Sequence, residues 1–423
     1  MNTANKDKMM QHSQRVEVST AASVLSGLSG RSKSPATDNT QRKQSKVDVA
    51  LVTNMEAFRQ LKSNWLSLEA NSSGAIFFQS WHWNDHFITH SAKNPDFTPF
   101  ILTASKLGRL VATLPMAIHH SKGCRLLTGL SEPYQQYTDM LCEQGIDPKS
   151  VFKQWLPLIK SAGVDYMHLG QVREDSTLAR AIKGIVKPSG ENDAAPFVQL
   201  SEWANFEDYF KSIKLKTRKN MRNARNRLEK TASISHEVHT EGQGLGEIID
   251  RTFEAREAWL ERMGLTSRAF SDADFVRFLS RFKSDKKDPD LKVMATSLKH
   301  GKHAIADQWG FIHKNRYYAF IAGWDEKYEQ SSPGKLHLGA IIEECYKNGI
   351  VAADFMIPAV PYKATWAKNA VGVQDYVLPL TTKGYLFNNL WLNFLRPLAK
   401  TIAYKLSPEM RAKIFKLLDR DAD

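Results

Sequence analysis

At 423 residues the chain is longer than one hydrophobic core usually serves, so two domains are expected. Its 42% hydrophobic and 10% aromatic content excludes a disordered or collagen-like chain. Lys and Arg number 58 against 45 Asp and Glu, and this net charge of +13 favours anionic partners such as phosphates, nucleic acid, anionic lipid heads or acidic glycans.

The three cysteines, Cys124, Cys142 and Cys345, have no metal-like spacing. They argue against a disulfide scaffold and fit a reducing compartment. The longest uncharged run, 70–84, is short and carries Asn, Ser, Gly, Gln and His, so no spanning helix is expected. The N-terminal stretch lacks a compact apolar core ahead of a small-residue cleavage site, and 18–30 is rich in Ser, Thr and Gly. No secretory signal is expected, and the expected compartment is the cytosol.

Residues 1–46 are polar, with eight Lys or Arg against three Asp or Glu. Such a segment buries too little apolar surface to offset its ordering entropy, and a disordered basic tail is expected. From Val47 the pattern becomes globular. Helices are predicted over 57–69 and 79–90, then strands over 97–104, 110–119, 125–130 and 136–142. A helix over 148–162, a strand over 165–170, a short helix over 175–183 and a strand over 197–200 follow. Residues 187–196 are turn formers, and the domain seam is placed there.

The second half repeats this order of elements without a visible sequence repeat. Helices are predicted over 206–230, 245–263 and 272–282, and strands over 291–298, 302–312 and 316–323. A loop over 324–333, a helix over 334–348, a strand over 351–357, a helix over 362–368 and a strand over 374–379 complete it. The remainder, 381–423, reads as helical. Tyr385, Phe387, Leu390, Trp391, Phe394 and Leu395 form an apolar face there, followed by Arg396, Lys400 and Lys405. That face suits packing on the second domain or a surface-lying membrane contact. The expected domains are therefore 47–190 and 197–380, after a tail 1–46 and before a helical tail 381–423, in an α/β architecture with mixed sheets.

One helix stands out. Phe206, Phe210, Ile213, Thr217, Met221, Ala224 and Leu228 recur at three- and four-residue spacing, while Lys214, Arg218, Arg222 and Arg225 recur on another face. Residues 211–230 hold nine Lys or Arg against Glu229 alone. Like charges at this spacing repel, so an anionic complement is expected: internal carboxylates, phosphates or an anionic substrate. Downstream, Ser331-Ser332-Pro333-Gly334-Lys335 opens a helix behind a continuous apolar strand, 317–323. Free amides at such a start, with the positive end of the helix dipole behind them, would seat a phosphate.

The ordered series Asp325, Tyr328, Pro333-Gly334, Gly349, Asp354-Phe355, Tyr362-Lys363 and Trp366 resembles the CelD/BcsL-type acetyltransferase family of the GNAT superfamily. Upstream, Phe78-Gln79-Ser80-Trp81, Leu114-Pro115, Tyr137-Thr138-Asp139 and the Arg218…Arg222…Arg225 helix followed by Glu254…Trp259 continue the resemblance over about residues 50–380. FemAB-type peptidyl transferases are more distantly similar. The resemblance implies two tandem GNAT-like domains and an acyl-CoA donor, with no metal. It places the thioester beside strand 317–323 and the pyrophosphate at Pro333, Gly334, Lys335 and Leu336. The sequence departs from the family's glycine-rich form of that loop.

Acyl transfer needs a base for the nucleophile, a donor to the oxyanion and a proton for the leaving thiolate. Asp354, Asp325 and Asp139 are candidate bases, although Asp354 also suits an internal salt bridge with Lys363 or an arginine of the basic helix. Tyr328 and Tyr362 are candidate proton donors, and Lys363 is a candidate to neutralise the oxyanion. Arg218, Arg222, Trp81, Tyr137 and Asp139 are the candidate substrate contacts. His82, His86 and His90 share a helix face, but Trp81 and Trp83 beside them favour packing over a metal. The absence of Gly-x-Ser-x-Gly and Walker A motifs excludes α/β-hydrolase and P-loop readings.

The expected function is transfer of an acyl group, foremost acetyl, from CoA to a hydroxyl or amine of a saccharide or cell-envelope precursor, beside the inner membrane leaflet. The competing readings are a FemAB-like transferase using aminoacyl-tRNA and a non-catalytic scaffold for an anionic glycan.

Overall fold

The computed structural model describes residues 47–420 apart from 75, 95, 96, 122 and 284–290, so the basic tail 1–46 lies outside the described residues. The first half comprises β1 (Asp48–Val52), α1 (Met55–Gln60), α2 (Lys62–Ala70), α3 (Trp81–Ser91), β2 (Thr98–Lys106), β3 (Arg109–Ser121), β4 (Cys124–Gly129), β5 (Leu141–Cys142), α4 (Pro148–Ser161), β6 (Tyr166–Arg173), α5 (Thr177–Ile182) and β7 (Lys187–Gln199). Helices α6 (Phe206–Ser212) and α7 (Leu215–Glu229) lead into the second half. It comprises β8 (Ile234–His239), α8 (Gly242–Met263), α9 (Arg268–Ser271), α10 (Ala273–Ser280), β9 (Lys292–His300), β10 (His303–His313), β11 (Arg316–Trp324), α11 (Pro333–Lys347), β12 (Ala352–Asp354), α12 (Pro361–Trp366) and β13 (Asn369–Pro379). After β13 come α13 (Thr382–Leu386), a π-helical stretch (Phe387–Leu395), α14 (Arg396–Tyr404) and α15 (Pro408–Arg420).

Apart from the short extra strand β5 in the first, both halves run strand, helices, three strands, helix, strand, helix, strand. They share one mixed sheet of order β1-β2-β3-β4-β6-β13-β7-β12-β11-β10-β9-β8, with β5 beside β3. The closing strands are exchanged: β7 pairs with β12 of the second half, and β13 inserts between β6 and β7.

Local chemistry sets the helix starts. Asn54, Ser80, Asp147 and Asn205 each accept a backbone N–H at an N-cap, and Pro148 occupies the first turn of α4. One aromatic core joins the halves. Phe77 stacks on Phe311 at 4.4 Å, and Trp83 meets Phe278 edge-on at 5.2 Å. Separate cores lie under α4 and α5 in the first half and under α7, α11 and α12 in the second.

Several elements differ from the sequence expectation. The turn formers 187–196 lie inside β7, where register shifts from Val373↔Asp193 to Asp375↔Ser189, so the irregular residues form a bulge opposite Gln374. Gln374 Nε2 donates to Ser189 O there at 2.7 Å. The helix expected over 206–230 breaks at Ile213, whose ψ is 142° and whose side chain is buried. Only Leu141–Cys142 of the expected strand 136–142 is regular. Ahead of it, side chains take over the backbone pairing, with Gln79 Nε2 donating to Tyr137 O at 2.9 Å and Asp139 accepting from Met140 N at 2.7 Å.

Candidate active site

Each half contains one short parallel ladder that opens. In the first, β4 and β6 pair only at Leu126↔Tyr166 and Leu127↔Met167. In the second, β11 and β12 pair at Arg316↔Ala352, Tyr317↔Ala353 and Tyr318↔Asp354, after which β11 continues through Ala319–Trp324 with no strand on that side among the described residues.

The first opening is filled from within. Glu132 lies there, so close that a Cβ at Gly170 of β6 would meet its Oε1 at 2.8 Å. His168 of β6 stands 3.6 Å from Glu132 and 3.4 Å from Asp375 of β13, and Arg268 stands 3.8 Å from Glu132. Burial opposes the charge on His168, but the nearby Asp375 and Glu132 carboxylates outweigh it and raise its pKa to about 9.

At the second opening, Asp354 ends β12 and is fully buried. Arg173 of β6 donates to its Oδ2 at 2.6 Å, while Tyr137 Oη and Met356 N donate to its Oδ1 at 3.0 and 2.9 Å. Arg316 adds a second cation at 3.7 Å. Both oxygens of Asp354 are thus engaged. The internal pair expected from sequence exists, but its partner is Arg173 and neither Lys363 nor an arginine of the basic helix. Burial, with the Asp354 charge beside it, pushes the Tyr137 hydroxyl well above the usual range.

Lys363 is buried on α12 and donates to Met356 O at 2.9 Å and Pro358 O at 3.0 Å, bracing the turn that walls the opening. Burial lowers its pKa to about 8 against the pull of Asp354 and Asp193. Burial also raises the neighbouring Tyr362, with the Arg256 charge opposing. The Arg256 guanidinium lies 4.4 Å from the Trp259 ring centroid. Arg256 and Trp259, with Gly323 and Trp324, border a recess of about 20 Å³, the space of a single water. Arg262 and Glu326 form an ion pair on its rim.

The start of α11 adjoins this recess. Ser332 takes a left-handed φ of 50°, no side chain caps the helix, and Pro333 sits in its first turn. Lys335 N and Leu336 N both donate to Ser332 O, at 3.0 and 3.2 Å, and Pro333 has no N–H, so these three positions do not offer the free amides expected from the sequence. The Trp324 indole stands beside Gly334, 3.9 Å from where a Cβ would be. Trp366 Nε1 donates to Lys335 O at 3.0 Å, joining α12 to this turn.

Asp325 and Tyr328 lie elsewhere. Asp325 is seven residues along the chain from Tyr318, the register partner of Asp354, or about 23 Å at strand rise. His303 Nε2 lies 2.7 Å from Asp325, and Tyr328 pairs with His300 Nδ1 at 3.2 Å. Burial favours the neutral acid at Asp325, but the His303 and Lys327 hydrogen bonds prevail and lower its pKa.

Three candidate substrate contacts are internal. Trp81 is buried and stacked on Phe58 at 4.5 Å, Tyr137 is held by Asp354, and Asp139 accepts from Leu178 N at 2.8 Å at the start of α5. Burial raises Asp139 to about 6 despite these amides. The basic helix α7 buries Met221, Ala224 and Leu228 and exposes Arg222 and Arg225. Arg218 Nε donates to Ile213 O at 3.0 Å, and Arg227 reaches Gln330 O at 3.3 Å, beside the turn ahead of α11. Arg222 and Arg225 flank a groove of about 420 Å³, floored by Phe206, Phe210, Leu336 and Trp366. This larger cavity lies between α7 and α11, away from Asp354.

Sequence reasoning missed Arg173, Arg256, Glu132, His168 and Asp375. None belongs to a recognisable spacing, and each is brought to its place by strand exchange or helix packing. His86 and His90 pack on Phe278 at 4.8 and 5.5 Å, as their aromatic neighbours indicate. Among the described residues no group of three or more His, Cys, Asp or Glu is placed to hold a metal ion.

Comparison with known proteins agrees with this architecture. Residues 216–364 match the family model described as an acetyltransferase (GNAT) domain. Among solved structures, FemX superposes with a TM-score of 0.52 at 9% identity, over 81% of this chain and 99% of that one. A tandem GNAT protein from the clavulanic acid biosynthesis pathway gives 0.46 at 10% identity over 79% and 99%. L-PGS from Bacillus licheniformis gives 0.46 at 12% identity over 79% and 97%. No curated protein matches the chain. Residues 216–364, which contain the opened parallel ladder, are thus similar to a GNAT acetyltransferase domain, and the chain shares its fold with FemX.

Proposed function

We propose that the protein transfers an acyl group, foremost acetyl, from acyl-CoA to a hydroxyl or amine, and that the transfer occurs at the second opening. The observation that carries this reading is the contrast between the openings: one is filled by Glu132, whereas the other leaves the Ala319–Trp324 edge without a strand partner among the described residues. In the proposed complex the thioester lies along that edge and the pyrophosphate approaches the Pro333–Leu336 turn. A main-chain amide of β11 and the Lys363 ammonium share the oxyanion charge, Tyr362 protonates the departing thiolate, and the proton shed by the acceptor passes through solvent to restore the tyrosine. Asp354 does not take the acceptor's proton in this scheme. With both oxygens engaged, it fixes Arg173 and Tyr137 behind the site. Entry of the donor requires Trp324 to swing outward and the Arg262–Glu326 pair to open, because the recess as it stands holds about one water. The acceptor class we favour is a saccharide or cell-envelope precursor.

A second reading, aminoacyl-tRNA as donor, draws on the exposed cations of α7 beside Gln330. Thermal unfolding with acetyl-CoA, CoA and tRNA across salt separates the two. A true donor at a hundredfold its Kd adds about 2.7 kcal/mol, and only tRNA should show a steep salt dependence. Absence of any stabilisation by CoA, together with no thiol release from acetyl-CoA, rejects the acyl-CoA reading.

A further inference from the structure

The C-terminal helices carry a feature that acyl transfer does not use. Leu386, Leu390, Phe394, Leu398 and Ile402 recur every four residues and are 48–60% exposed, with Tyr385 and Tyr404 similarly open at the two ends. In an α-helix a four-residue row drifts around the axis in one sense, and in a wider π-turn it drifts in the other. The π-helical stretch Phe387–Leu395 followed by α14 therefore keeps the row on one side. Pro397, which has no N–H to donate one turn back, marks the change of pitch.

The opposite side of these helices is fixed to the body. Phe387 stacks on Tyr166 at 5.2 Å, and Leu392 packs with Cys124, Leu126 and Val377. The buried Arg411 donates to Tyr404 O at 3.2 Å and to Met263 O at 3.1 Å, serving the C-terminal ends of α14 and α8 together. The apolar row is thus presented by a braced element.

Charge indicates what covers the row. Residues 376–408 contain Lys383, Arg396, Lys400 and Lys405 and no Asp or Glu, although Lys383 is tied to the body through Gly123 O and Asp165. A second copy of the chain would bring the same cations to the same face. Segment 1–46 would bring a further net +5. Both are disfavoured by like charge, whereas a bilayer with anionic head groups offers apolar depth and opposite charge at once. Among the described residues no helix is long and apolar enough to cross a membrane, so the contact lies in the interface plane. We propose that the row Leu386–Ile402 is a docking face for anionic phospholipid membranes, with its leucines and Phe394 in the acyl boundary and the flanking cations at the phosphates.

The test is co-sedimentation of the full chain with phosphatidylcholine vesicles, with and without phosphatidylglycerol, alongside Leu390→Ser/Phe394→Ser/Leu398→Ser. These side chains are exposed and the net charge is unchanged, so far-UV circular dichroism and Tm should match wild type. Where they do not, Leu386→Ser/Leu390→Ser is read instead. Wild type should bind anionic vesicles about tenfold or more tighter than neutral ones, and the variant should lose about tenfold or more on anionic vesicles. Equal binding by wild type and variant would assign the attraction to overall charge and overturn the proposal. So would failure of wild type to bind, or a wild-type dimer that the variant converts to a monomer by sedimentation velocity. None of these outcomes bears on acyl transfer, which is assayed in solution with acetyl-CoA.

Discussion

Arg173 and Asp354 face each other at 2.6 Å with both side chains buried, and their pairing joins the end of β6 in one half to the end of β12 in the other. Removing one partner of such a pair strands the other charge in a low-dielectric interior, which costs about 3–5 kcal/mol. Asp354→Ala and Arg173→Leu should therefore each lower the urea midpoint strongly. Tyr137→Phe, which removes one hydrogen bond and leaves the pair, should cost about 1 kcal/mol. An Asp354→Asn protein with wild-type stability and only a lost rate would instead make this carboxylate the base.

The ion network in the first opening has a different signature. His168 is raised to about 9 from an ordinary 6.5, and it contributes up to about 3 kcal/mol. Because the folded value is the higher, this contribution is complete below pH 6.5 and disappears as pH rises through 9. Glu132 and Asp375 have folded values below their ordinary 4.5 and 3.8, so their share is present above those values and fades as the solution is acidified further. Urea unfolding across pH should show a fall from 6.5 to 9 that His168→Gln flattens. An unchanged slope in that variant would remove His168 as its source.

These two clusters show how far sequence reasoning reaches. Periodicity located most helices and strands, because buried faces impose their spacing wherever an element packs on a sheet. Asp354, Tyr137 and Lys363 were all legible as unusual residues in ordered motifs. That Asp354 pairs with Arg173 was not, since the exchange of β7 and β13 sets the juxtaposition and no local pattern encodes it. For the same reason Pro188 and Gly190 read as a turn, although β13 holds them within a bulged strand. Edge strand β8 was missed although Ile234, His236 and Val238 alternate with Ser235, Glu237 and His239, because His236 interrupts the apolar face and six residues of weak polarity contrast give little signal. Asp325 and Tyr328 entered the candidate set by order along the chain, and the length of β11 carries them away from Asp354.

Gly339 offers a test of the junction between α11 and α12. A Cβ there would stand 2.5 Å from the Trp366 ring, and that indole donates to Lys335 O at the turn proposed for the pyrophosphate. Gly339→Ala should push Trp366 aside and cost about 1–3 kcal/mol by overpacking. It should also weaken CoA binding more than Gly246→Ala, where the nearest atoms are 3.7 Å away along the flexible Lys283 side chain. Calorimetric titration of both variants with CoA checks the ordering, and equal affinities would detach the α12 contact from the donor turn.

Lys363 should show opposite effects in rate and in stability. Its folded pKa of about 8 lies below the ordinary 10.5, so burying the ammonium is unfavourable by about 3 kcal/mol at neutral pH. That penalty is relieved as pH climbs from 8 to 10.5, so this residue makes the protein more stable with rising pH in a window where His168 is losing its contribution. If the ammonium also neutralises the oxyanion, transfer should slow as pH passes about 8 even though this residue's stability term improves. Lys363→Met removes the titrating group. The difference in unfolding free energy between wild type and variant should then shift by about 3 kcal/mol between pH 8 and 10.5, and kcat should fall by about a hundredfold with KM for acetyl-CoA little changed. A variant that keeps the wild-type rate, with only its pH–stability curve altered, would confine Lys363 to bracing the Met356–Pro358 turn.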